Sequence, residues 1–66
     1  MKNTNIPPVG LHDSITVIIY AYNDEQNIER AVKSAKLLSH NVLLIDIGSI
    51  DKTAKIAGRA GALVIT

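Results

Sequence analysis

Apolar positions along this chain follow two rhythms. "ITVIIYAY" (Ile15 to Tyr22), "NVLLIDI" (Asn41 to Ile47) and "ALVIT" (Ala62 to Thr66) are apolar at nearly consecutive positions and rich in β-branched residues. Short continuous runs of this kind predict strands covered on both faces, as in a parallel sheet. Between the first two lies "NDEQNIERAVKSAKLLS", where Ile28, Ala31, Val32, Ala35 and Leu38 recur at spacings of three and four. That spacing lays one apolar stripe along a helix. Asn23, with Gln26 three residues later, makes a capping-box pattern, and Asp24 and Glu25 fall where a helix dipole favours negative charge. Glu29 and Lys33 are a well-oriented i,i+4 pair. "SIDKTAKIAGRAG" predicts a second helix, capped by Ser49 or Asp51, with Ile50, Ala54 and Ala57 as its small apolar face and Gly61 placed to end it. Gly58 inside it costs about 1 kcal/mol relative to alanine. Residues 1–14 are polar, contain Pro7-Pro8 and Gly10, and read as a flexible leader.

The order over residues 15–66 is therefore β-α-β-α-β: an α/β, Rossmann-like half-domain with a three-stranded parallel sheet and right-handed crossovers. Ligands of such sheets bind outside the carboxyl ends of the strands. Those ends carry Ala21, Tyr22 and Asn23 after the first strand, and Asp46 to Ser49 after the second. A carboxylate at Asp46 accepts a hydrogen bond, which the imide N–H of uracil or the matching edge of guanine can supply. Tyr22 offers a flat ring, and stacking a base on an aromatic ring is worth about 1–3 kcal/mol. The plainer role for Asp46 is to satisfy backbone N–H groups of its own turn.

Size and composition narrow the alternatives. A chain of 66 residues is one small domain with a thin stability margin, and with no cysteine it has neither disulfides nor thiolate-bound zinc to add to it. The lack of cysteine, the missing signal-peptide core and apolar runs too short to span a bilayer together predict a soluble, cytoplasmic protein without a transmembrane segment. Seven Lys plus Arg against six Asp plus Glu leave a net charge of +1, and the only aromatics are Tyr20 and Tyr22, so nucleic acid is not an expected partner. No G-x-G-x-x-G follows the first strand and no G-x-x-x-x-G-K-[ST] occurs, which removes a dinucleotide fingerprint and a P-loop. His12 and His40 lack a second ligand at metal spacing, and the lysines and Arg59 read as solvated helix faces.

The two segments "ITVIIYAYNDEQNIERAVKSA" and "VLLIDIGSIDKTAKIAGRAGALVI" resemble the N-terminal, nucleotide-sugar-binding half of family-2 glycosyltransferases, which have the GT-A fold. The family pattern is a strand, P-A-Y-N-E-E-x-N-I, a helix, and V-D-D-G-S-T-D-G-T opening a second helix. The resemblance implies that Ala21 and Tyr22 line a nucleobase pocket, that Asp46 accepts a hydrogen bond from the base, and that Ser49 and Asp51 shape the loop beside it. Asn23 and Glu25 match positions that brace this turn. Tyr20, Ile47, Ile50 and Lys52 depart from the pattern, and Ile47 leaves Asp46 as the sole carboxylate at the strand end.

By the same resemblance, the complete enzyme transfers a sugar from a UDP- or GDP-linked nucleotide diphosphosugar to a glycan or lipid acceptor, using Mg²⁺ or Mn²⁺ at a D-x-D motif and a later carboxylate base. No D-x-D occurs in these residues, so this chain alone is expected to bind no metal, to have no catalytic residue and to be inactive. The rival readings are a non-catalytic nucleotide-binding or interaction module and an inert truncated remnant. An uncharged, apolar first strand with an unguarded edge also predicts self-association through that strand.

Overall fold

The computed structural model describes residues 14–66; apart from Ser14, the expected leader lies outside the described residues. The elements are β1 (Thr16–Ala21), α1 (Ile28–Leu38), β2 (Asn41–Asp46), α2 (Thr53–Arg59) and β3 (Leu63–Ile65). The strands form a parallel sheet in the order β1-β2-β3, with Thr16 to Ala21 in register with Asn41 to Asp46, and Leu43 to Ile45 with Leu63 to Ile65. This is the Rossmann-like half-domain that the alternating pattern predicts.

Strand order follows chain order, so two crossovers of the same hand place both helices on one face of the sheet. That face holds the core. Ala21, Val42 and Leu44 from the strands meet Ile28, Val32 and Ala35 of α1 and Ala57 of α2, with Val17, Ile19 and Val64 packed alongside. Ile28, Val32 and Leu44 are fully buried, and burying such a side chain is worth about 1.5–3 kcal/mol each. The other face differs from expectation. Among the described residues nothing covers it, and Ile18, Tyr20, Leu63 and Ile65 are exposed there in rows with half-buried Leu43 and Ile45. The apolar runs suggested cover on both faces, but both helices lie on the same side.

Helix α1 begins later than its capping-box pattern suggests. Asn23 has a φ of +48°, in the left-handed region, and does not cap the helix. The chain first makes a turn in which Asn27 and Ile28 donate to the Asp24 carbonyl at 3.0 and 2.9 Å. Asn27 then occupies the N-cap position without a side-chain cap bond. The Glu29–Lys33 pair forms as its spacing predicts, at 2.8 Å, and the Lys33 ammonium holds the Glu29 carboxyl below its ordinary value.

After α1, fully buried Ser39 fixes the connection to β2. Its hydroxyl donates to the Ile15 carbonyl and accepts from the Asn41 N–H at 2.9 Å. Helix α2 ends at Gly61 as expected. The Gly61 N–H donates to the Gly58 carbonyl at 3.1 Å and the Ala62 N–H to the Ala57 carbonyl at 3.0 Å, the paired bonds of a Schellman motif. The motif needs a positive φ after the helix, and Gly61 supplies one of +113°.

Candidate nucleotide site at the strand ends

β1 and β2 end side by side, with Ala21 in register with Asp46 and the Ile47 N–H donating to the Ala21 carbonyl at 2.8 Å. Each strand then turns sharply through one left-handed residue, Asn23 on one side and Gly48, φ +75°, on the other. Asparagine tolerates that conformation better than other residues bearing a Cβ.

The two turns are laced together across the end of the sheet. The Asn23 N–H donates to Ser49 Oγ at 2.8 Å, while Asn23 Oδ1 accepts from the Ile50 N–H at 2.9 Å. One step further, the Glu25 N–H donates to Asp51 Oδ2 at 3.2 Å and Glu25 Oε1 accepts from the Lys52 N–H at 2.9 Å. Between these pairs the Asp24 N–H donates to Thr53 Oγ1 at 2.7 Å. Side chains of each turn thus satisfy backbone donors of the other, including one at the start of α2 that the helix itself leaves unpaired.

Asp51 sits at the centre of this lacing. Its Oδ1 accepts from both the Thr53 N–H, at 3.0 Å, and the Thr53 hydroxyl. Partial desolvation pushes its carboxyl up, but the bonds from Thr53 and from the Glu25 N–H outweigh it and hold the group below its ordinary value of 3.8. Fully buried Thr53 is the member of the lacing that the sequence reading missed. The alternation Ser49, Asp51, Thr53 is the signal that could have found it: every second residue offers an oxygen.

Beside the lacing, Asp46 is buried, with 8% of its surface exposed, and its Oδ1 accepts from the Ser49 N–H at 3.3 Å. Among the described residues Oδ2 has no hydrogen-bond partner, so the turn role accounts for only part of this carboxylate. Tyr22 follows Ala21 with 62% of its surface exposed, and Ile47 and Ile50 on the other turn are exposed too. Ala21 itself faces the core, so what it offers at the strand end is backbone.

The family model described as "Glycosyl transferase family 2" matches residues 16–65, which takes in both laced turns. The chain belongs to glycosyl transferase family 2. It is 38% identical over 64 residues to an uncharacterized protein of Methanocaldococcus jannaschii, a match covering 96% of this chain and 26% of that protein. It is also 38% identical over 55 residues to an uncharacterized glycosyltransferase of Rickettsia bellii, covering 83% of this chain and 19% of that protein. The chain therefore spans about a quarter or less of the length of these relatives. No solved structure matches it closely enough to report.

Set against its family, this chain brings together the residues its two motifs single out: Tyr22, Asn23 and Glu25 on one turn, Asp46, Ser49 and Asp51 on the other. Among the described residues no cluster of three or more His, Cys, Asp or Glu side chains could hold an ion. Asp51 and Glu25 instead accept from backbone N–H groups, and Asp46 does so through Oδ1 alone. Among the described residues, no helix is long and apolar enough to cross a membrane.

Proposed function

We propose that this chain is the donor-nucleotide-binding part of a glycosyltransferase, with the base of a UDP- or GDP-linked sugar held between Tyr22 and Asp46. The observation that carries the reading is Asp46: a carboxylate 8% exposed, at a strand end, with Oδ2 unpartnered among the described residues and an exposed tyrosine one residue past its register partner Ala21. A buried acceptor without a partner costs stability, and an imide N–H of uracil or the N–H edge of guanine supplies the missing donor. The laced turns fix the backbone on the C-terminal side of both residues, so less ordering is left for the ligand to drive.

The whole enzyme transfers the sugar to a glycan or lipid acceptor. The divalent cation expected for that reaction finds no ligand set among the described residues, and no step of it is assigned to them. The test is titration of the chain with UDP and GDP, followed by amide shifts, for the wild type and for Asp46→Ala. The reading requires shifts at Tyr22, Asp46, Ile47 and Gly48 that weaken in the variant. No response at millimolar nucleotide, or equal responses in both proteins, removes the site.

A further inference from the structure

We propose that Thr53 is a positioning residue of the nucleotide site: its hydroxyl fixes the turn that follows Tyr22 and so sets where that ring stands relative to Asp46. The inference rests on the base-binding reading above. Thr53 is the first residue of α2, and its side chain is fully buried. A threonine hydroxyl has one proton to donate and lone pairs with which to accept. Here the proton goes to Asp51 Oδ1, and a lone pair takes the Asp24 N–H at 2.7 Å. The Asp24 carbonyl accepts from Asn27 and Ile28 at 3.0 and 2.9 Å, where α1 begins. Asp24 is therefore pinned at its N–H by the start of α2 and at its C=O by the start of α1, two residues past Tyr22.

The other bonds between the two turns are easier to replace. Those joining Asn23 to Ser49 and Ile50, and Glu25 to Asp51 and Lys52, lie at exposed positions where water substitutes for a lost partner. The Asp24–Thr53 bond is part-buried, so without the hydroxyl the Asp24 N–H is left short of an acceptor. It regains one by shifting toward water, and the turn after Tyr22 shifts with it. The same hydroxyl orients Asp51, whose Oδ2 accepts from the Glu25 N–H at 3.2 Å. One O–H thus governs two consecutive donors of the first turn. The Asp46 bond to the Ser49 N–H does not involve Thr53, so the loss falls on the tyrosine side of the site.

Titration with UDP and GDP, read by calorimetry and amide exchange, compares the wild type with Thr53→Ser and Thr53→Val. Serine keeps the hydroxyl and drops the methyl, whereas valine keeps the shape and drops the hydroxyl. Thr53→Ser should bind within about twofold of wild type and Thr53→Val about three- to tenfold more weakly, the cost of re-ordering a side chain on binding. The Asp24 amide should lose exchange protection in the valine variant alone. A role in packing only predicts the reverse order, because serine then carries the loss. Valine binding as tightly as wild type, or serine as weakly as valine, overturns the inference and leaves the base site standing. No response of the wild type to either nucleotide removes the base site and this role together. Should Thr53→Val fail to fold, Thr53→Ser decides: wild-type affinity despite the lost methyl supports the hydroxyl, and a fall in affinity overturns it.

Discussion

Asn23 and Ser49, 26 residues apart in sequence, are joined by a hydrogen bond of 2.8 Å that ties the end of β1 to the loop after β2. Asn23 works in both directions, since its side chain accepts from the neighbouring Ile50 N–H at 2.9 Å. This reciprocity makes the two turns one unit. Removing the Asn23 amide in Asn23→Gly keeps the left-handed backbone and should cost about 0.5–1.5 kcal/mol, one net hydrogen bond. Asn23→Ala should cost a further 1–2 kcal/mol or so, because alanine resists a φ of +48°. Urea unfolding of the two variants checks the order; equal stabilities would separate the strain from this position.

Acid should reach the same unit through Asp51. Its carboxyl titrates below 3.8 in the folded chain, so the bonds it accepts contribute stability that is present above pH 3.8. That contribution is lost as pH falls through the lower, folded value. The neutral variant Asp51→Asn cannot show this loss, and the gap between wild type and variant should shrink on acidification below pH 4 or so. Thermal unfolding of both proteins across that range measures it; a gap independent of pH would deny Asp51 its role. Glu29 shifts in the same direction through Lys33, but the pair is exposed and adds little.

Two glycines of the second crossover should respond to alanine with opposite signs. Gly58 lies inside α2 on an exposed position, and a Cβ there would meet Val64 Cγ2 at an ordinary 3.7 Å. Gly58→Ala should therefore stabilise by about 0.5–1 kcal/mol through helix propensity. Gly61 has a φ of +113°, and a Cβ there would stand 3.3 Å from Lys36 Cε. The Lys36 ammonium bonds the His40 and Gly61 carbonyls, so it cannot swing away without loss. Gly61→Ala should destabilise by more than 1 kcal/mol or so, and denaturant midpoints for the pair test the sign of each.

The residues themselves show why the fold was more legible than the site's construction. The stripe Ile28, Val32, Ala35 and the run Val42 to Ile45 are period signals, and the buried positions of α1 and β2 follow them. Gly61 ending α2 follows from its backbone freedom alone. Asn23 was misread because local pattern rules look only a few residues ahead. A capping box spans Asn23 to Gln26, whereas the partners Asn23 finds are Ser49 and Ile50. Asp51 was a candidate cap and does accept from Thr53, but its bond from Glu25 was invisible for the same reason. The bare sheet face was not legible either: an apolar run reports that a strand suits cover, not that cover is present on each side.

Chemistry at the strand ends separates the two tyrosines. Tyr22 follows Ala21, the register partner of Asp46, while Tyr20 lies on the bare face in a row with Ile45 and Ile65. If a base stacks on Tyr22, Tyr22→Ala should weaken UDP or GDP binding by about 1–3 kcal/mol, roughly five- to 150-fold. Tyr22→Phe keeps the ring and should bind nearly as the wild type does. Tyr20→Ala should leave nucleotide affinity unchanged. Calorimetry on the three variants, with folding checked by circular dichroism, reads all of these effects. Equal losses for Tyr22→Phe and Tyr22→Ala would show that the hydroxyl, not the ring face, meets the ligand, and an effect of Tyr20→Ala on affinity would move the base off the Tyr22–Asp46 shelf.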